Sequence, residues 1–91
     1  MTKRHERSSN WPEWWSWDVD FTEHLLERMS SRRFGEVDLR LMLDAATGFR
    51  KSREDGRFVV ETTHDGRPWA VVVEPLTDER ILVVVTAYPA S

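Results

Sequence analysis

From Trp15 to Phe21 the chain alternates, with Trp15, Trp17, Val19 and Phe21 apolar and Ser16, Asp18 and Asp20 polar. A period of two places the four apolar side chains on one face of a strand. Trp11 and Trp14 fall outside the alternation, and Pro12 makes residues 11–13 a lead-in. Thr22 suits a helix N-cap, with Phe21 before it and Leu26 placed to pack back on Phe21. Leu25, Leu26 and Met29 then form the buried stripe of a first helix. A second helix repeats the device, with Phe34 before a Gly35 cap. Leu39, Met42, Leu43 and Ala46 recur at i, i+3, i+4 and i+7, which is one buried helical face. Gly48 is expected to end this helix in the left-handed conformation.

Beyond Gly48 the pattern is β. Asp55-Gly56 and Asp65-Gly66 both signal two-residue hairpins, whose turns need positive φ. They separate a short arm near residues 49–52, a strand over 57–64 and a strand over 67–75. A looser turn, LTDE, leads to a last strand over 80–88. The pattern therefore predicts an α+β fold, β-α-α-β-β-β-β, with two helices packed on an antiparallel meander sheet.

Pairing follows from the turns. A two-residue turn at Asp65-Gly66 sets His64 opposite Arg67, Thr62 opposite Trp69, Val60 opposite Val71 and Phe58 opposite Val73. Pairing Pro75 with Arg80 sets Val73 opposite Leu82, Val71 opposite Val84, Trp69 opposite Thr86 and Arg67 opposite Tyr88. The helix-facing side would then hold Phe58, Val60, Trp69, Val71, Val73, Leu82 and Val84, and would end in Thr62, His64, Arg67, Thr86 and Tyr88. The other side, with Val59, Ala70, Val72, Ile81, Val83 and Val85, is too apolar for bare solvent. A cover is expected there, and Trp11 and Trp14 are assigned to that face or to a partner.

At 91 residues the chain has the length of one domain. Residues 1–10, MTKRHERSSN, are polar and without periodicity and read as a disordered tail, leaving 11–91 as the domain. The absence of cysteine excludes a disulfide framework, a thiolate metal site and a cysteine nucleophile. No apolar run approaches the roughly 20 residues needed to cross a bilayer, and no signal-peptide pattern is present. A cytoplasmic protein without membrane association is expected.

The net charge of −3 argues against a general nucleic-acid binder. The charge is uneven, however: residues 11–31 hold five acids and one arginine, whereas Arg50, Lys51, Arg53 and Arg57 crowd together. That block is either a solvated loop or a local phosphate-facing patch.

Gly-rich phosphate loops, metal-protease helices and nucleophile elbows are missing, and no cofactor or metal is expected. His24 and Arg28, four apart, share a face of the first helix. His64, Arg67 and Tyr88 would meet at one sheet end, where an imidazole, a guanidinium and a phenol are parts suited to metal-free RNA cleavage. In that reaction the 2′-hydroxyl is the internal nucleophile, and the protein moves protons and stabilises a crowded phosphate. The same residues are also compatible with a purely structural helix face and hairpin tip.

TEHLLERMSSRRFGEVDLRLML, GRFVVETTHDGRPWAVVVEP and LVVVTAYP together resemble a bacterial family of small uncharacterised domains. The likeness rests on an H-x-x-x-R-M helix start (His24, Arg28, Met29), on Arg33, Phe34, Gly35 and Val37 leading into the second helix, and on Val85, Thr86, Ala87 and Tyr88 in the closing strand. That family is similar to the RelE and BrnT toxins, which set two helices on an antiparallel sheet and cleave RNA without metal. Those toxins are typically strongly basic, whereas this chain is net acidic. The resemblance implies the fold and a metal-independent endoribonuclease of a toxin–antitoxin type system. On that expectation His24, His64 and Tyr88 are catalytic, while Arg28, Arg57, Arg67 and Thr86 bind substrate. The partners would be RNA, an antitoxin protein or a second copy of the chain. The competing expectation is a noncatalytic domain that binds a protein, or itself, through the open sheet face and through Trp11 and Trp14.

Overall fold

The computed structural model describes residues 11–30 and 34–90. The expected tail, residues 1–10, and Arg33 of the motif lie outside the described residues. The order is β1 (Asp18–Phe21), α1 (Glu23–Ser30), α2 (Glu36–Asp44), β2 (Gly48–Lys51), β3 (Phe58–His64), β4 (Arg67–Leu76) and β5 (Ile81–Pro89), preceded by a 3-10 turn over Glu13–Ser16. This is the α+β order that the hydrophobic pattern predicts.

The sheet is mixed rather than wholly antiparallel. Its strands lie in the order β1-β5-β4-β3-β2, with β1 parallel to β5 and every other pair antiparallel. β1 and β2 thus occupy opposite edges of the sheet, and α1 and α2 cross one face between them. Both helices pack on that face. Leu25 and Met29 of α1 and Leu39, Met42 and Leu43 of α2 are buried with Val60, Val71, Val73, Leu82 and Val84 in one core.

Thr22 caps α1 as expected, its Oγ1 accepting from the Leu25 N–H at 3.1 Å. Gly35 precedes α2, and the Asp38 carboxylate accepts from its N–H at 2.9 Å. Gly48 does not end α2. The helix stops at Ala45, whose N–H returns to the Leu41 and Met42 carbonyls, and Gly48 opens β2 instead. A Cβ there would lie 3.1 Å from Glu61 Oε1, so this glycine makes room for a carboxylate on the neighbouring strand.

The Asp65-Gly66 turn has φ of 54° and 74°, and the β3–β4 register is the one that such a turn dictates. Asp55-Gly56 is different. β2 and β3 pair from Lys51–Phe58 inward, so residues 52–57 form a longer loop in which Gly56 alone takes positive φ.

The last hairpin departs furthest from expectation. Residues 77–80 turn as a group, pairing Leu76 with Ile81 and Val73 with Val84. That is a two-residue shift, which preserves the faces. A β-bulge opposite Val72/Val73 then inserts one residue into β5, so that Val72 meets Thr86, Val71 meets Ala87 and Ala70 meets Tyr88. A one-residue insertion reverses the faces beyond it. Ala87 turns into the core, and Thr86 and Tyr88 point to the opposite side.

The tryptophans fill the helix-side core. The alternation predicts a strand from Trp15, but residues 13–16 coil into a 3-10 turn that buries Trp14 as well as Trp15. Trp17 is buried beside them. Trp11 stacks on Trp15 at 4.5 Å and Trp14 packs on Phe58 at 4.9 Å. Trp11 and Trp14 therefore do not cover the open sheet face, as was expected of them. That face has a small apolar centre of Val59, Ala70 and Val72 with Val85 against it. These residues are already shielded within the chain, where Arg50–Glu61 and Arg57–Glu74 bridge neighbouring strands on the same side and long polar side chains lay their stems over apolar surface.

A candidate site on the open sheet face

The open face carries opposite charge at its two edges. Asp18 and Asp20 of β1 pair with Ile81 and Val83 and are exposed, so the β1 edge is acidic. At the β2 edge the chain places Arg50, Lys51 and Arg53. An overall acidic chain thus presents a cationic strip at one edge, with Asp18 and Asp20 at the opposite edge and Glu54, Glu61 and Glu74 interspersed among the arginines.

Beside that strip Arg50, Lys51, Ser52, Arg53, Glu54, Val59 and Tyr88 line a shallow recess of about 370 Å³, within the ~300–1,000 Å³ of ordinary ligand clefts. Three elements build it. β2 supplies Arg50 and Lys51, the 52–57 loop supplies Ser52, Arg53 and Glu54, and the bulged end of β5 supplies Tyr88, which is 43% exposed. Arg50 Nε lies 3.4 Å from Glu61 Oε2, a long and exposed contact that leaves the guanidinium accessible. Lys51 and Arg53 form no ion pair among the described residues. Arg57 is committed elsewhere, with Nη1 at 2.8 Å from Glu54 and Nε at 3.1 Å from Glu74. Hydrogen bonding to Glu74, and then to Glu54, holds its guanidinium above the usual arginine range, so it is charged at any ordinary pH. Its role here is to fix the loop that carries Arg53 and Glu54.

The residues expected to act together are divided. Tyr88, Thr86 and Arg57 reach the open face. His64 and Arg67 pair at the β3–β4 tip, where His64 belongs to the helix-side register of Val60 and Thr62. Its imidazole packs edge-on against Phe34 at 4.6 Å and Trp69 at 5.6 Å. His24 and Arg28 are exposed on α1, whose Leu25 and Met29 face the sheet, so the sheet lies between them and Tyr88. The bulge in β5 is what separates Tyr88 from His64. Arg50, Lys51 and Arg53 had no assigned site role in the sequence, although their crowding in an acidic chain was the signal for it. Among the described residues no three His, Asp or Glu side chains converge to hold a metal ion, and no helix is long and apolar enough to cross a membrane.

Residues 21–89 match the family described as Domain of unknown function (DUF4258). The chain belongs to that family. No curated protein and no solved structure matches it. The matched span of this DUF4258 domain runs from the end of β1 through β5, and so takes in both helices, the cationic strip and Tyr88, but not the four tryptophans of residues 11–17.

Proposed function

We propose that this domain is a toxin-like, metal-independent ribonuclease whose working surface is the open-face recess. The observation that carries this reading is the shared recess in which Tyr88 lies with Arg50, Lys51 and Arg53, beside a sheet face that no helix covers among the described residues. The cations neutralise the phosphate, with Arg50 and Arg53 offering planar forks suited to its oxygens. Attack of the 2′-oxygen on phosphorus breaks the bond to the 5′-oxygen. Tyr88 is placed to donate the proton that the leaving oxygen takes up, and its ring offers a base a surface to stack on. Glu54, in the same recess, is the acceptor available for the 2′-hydroxyl proton. The resemblance of the sequence motifs to RelE- and BrnT-type toxins is a reason to look for this chemistry, not a property of the matched family.

RNA cleavage and growth arrest, followed in the presence of EDTA, test the proposal. Wild type should cleave. Tyr88→Phe should lower the rate about a hundredfold, as loss of a general acid does, and Lys51→Ala/Arg53→Ala should weaken substrate binding. His24→Ala, across the sheet, should act like wild type. A wild type with neither activity would sink the enzyme reading, and full activity in Tyr88→Phe would sink the residue assignment.

A noncatalytic, partner-binding role is favoured by a different surface. Val37 and Leu41 stand 70% and 61% exposed one turn apart on α2, an apolar pair suited to an antitoxin-type protein or a second copy. Val37→Lys/Leu41→Lys should abolish such an association on size-exclusion chromatography without affecting cleavage.

A further inference from the structure

At the same end of β5, one residue further along, a second recess of about 620 Å³ is lined by His64, Asp65, Arg67, Pro68, Trp69 and Pro89. Its walls combine the flat ring of Trp69 and two prolines with the polar groups of His64, Asp65 and Arg67. Trp69 is half-buried and stacked on Phe34 at 5.3 Å with 17° between the planes, so it is a braced ring rather than a mobile one. Pro68 and Pro89 add rigid surface, and the Ala90 N–H bonds the Pro68 carbonyl at 2.9 Å, tying the end of the chain to β4. His64 is held edge-on to both Phe34 and Trp69.

The charge in this recess is simple. Arg67 is exposed and makes no ion pair among the described residues. Asp65 is the carboxylate among the lining residues. It serves the turn through its positive φ, and its side chain is 89% exposed and 3.8 Å from His64 Nε2. A braced indole and two prolines in one recess, together with an uncommitted guanidinium, match a nucleobase joined to a phosphate.

The two recesses are consecutive on β5. Tyr88 lines the one on the open face and Pro89 lines the one at the tip, with Cα atoms about 3.8 Å apart in the chain. We propose that they form one path for single-stranded RNA. A strand whose phosphate sits on Arg50, Lys51 and Arg53 beside Tyr88 crosses the end of the sheet and seats a neighbouring nucleotide at the tip, with its base against Trp69, Pro68 and Pro89 and its phosphate on Arg67. This rests on the open face being the RNA site, and it assigns His64 and Arg67 to substrate binding, away from the scissile phosphate.

Fluorescein-labelled 2′-O-methyl RNA, which cannot be cleaved for want of a 2′-hydroxyl, tests the path in titrations with oligomers of two and six nucleotides. The six-mer should bind wild type more tightly than the dimer. Arg67→Ala should weaken the six-mer about tenfold and reduce the slope of log K against log salt by about 0.7, the loss of one phosphate contact to a single strand, while leaving the dimer unchanged. Arg67→Lys should recover the salt slope, and Trp69→Leu should weaken the six-mer without altering it. If Arg67→Ala and Trp69→Leu leave six-mer binding intact while Arg53→Ala weakens it, the path is wrong and the open-face site stands. Equal weakening of dimer and six-mer by Arg67→Ala would also overturn the path, by making the tip the primary site. If wild type binds neither oligomer, or Arg53→Ala changes nothing, both the path and the open-face reading fail.

Discussion

Thr62 is buried between α2 and β3, and its hydroxyl donates to the Met42 carbonyl near the end of α2. That carbonyl also accepts from the Ala45 N–H at 3.2 Å in the closing turn of the helix, so the Thr62 hydroxyl is a second donor to it and joins the helix layer to the sheet. Thr62→Val keeps the shape and removes the donor, and should cost about 1–2 kcal/mol, whereas Thr62→Ser should keep the bond. Urea denaturation would distinguish them, and equal losses in both would mean that only packing matters there. The hairpin register placed Thr62 on the helix side from sequence alone. Its partner was not legible, because nothing local to residues 58–64 says which carbonyl α2 will present. Tyr88 shows the converse: its chemistry was evident as a residue type, but its neighbours depended on a register set many residues away.

At the scale of the element, the bulge in β5 decides which side chains reach the candidate site. A regular strand would continue the core face from Val84 to Thr86 and Tyr88. With the inserted residue, Ala87 is buried instead, at 6% exposure. Ala87→Asp would place an unpaired carboxylate in the core and should destabilise the domain by about 3–5 kcal/mol, while Thr86→Asp should change stability by less than about 1 kcal/mol. Thermal unfolding of the two variants checks this, and the reverse order would mean a regular strand with Tyr88 beside His64. The helices were legible because their periods of 3–4 and their caps are local signals. The bulge was not, because VVVTA fits either face until the turn before it is settled. That turn also makes contacts far from it in sequence: Arg80, at φ 55°, reaches Glu13 at 3.3 Å and lies over the Trp17 ring at 5.4 Å.

For the whole molecule, the segment that precedes the matched family span is part of the fold. Trp14, Trp15 and Trp17 are all buried in the main core, and Trp15 is fully enclosed. Losing a buried tryptophan side chain costs about 3–5 kcal/mol, against a total stability of roughly 5–14 kcal/mol for a domain of this length. A chain beginning at residue 21 should therefore fail to fold cooperatively. Near-ultraviolet circular dichroism would check it, and a sharp thermal transition in the truncated chain would refute this role for the tryptophans.

The amino-acid sequence by itself determined the number, type and order of the elements, the buried faces of both helices and the β3–β4 register, because each follows from periodicity, caps or a turn a few residues long. Only the tertiary structure decided that β1 runs parallel beside β5, that Trp11 and Trp14 join Trp15 and Trp17 at the helix-side core, and that Tyr88 joins Arg50, Lys51 and Arg53 rather than His64. Those outcomes depend on pairings between distant strands and on a one-residue bulge, where local preference is nearly neutral and packing of the whole sheet selects the register.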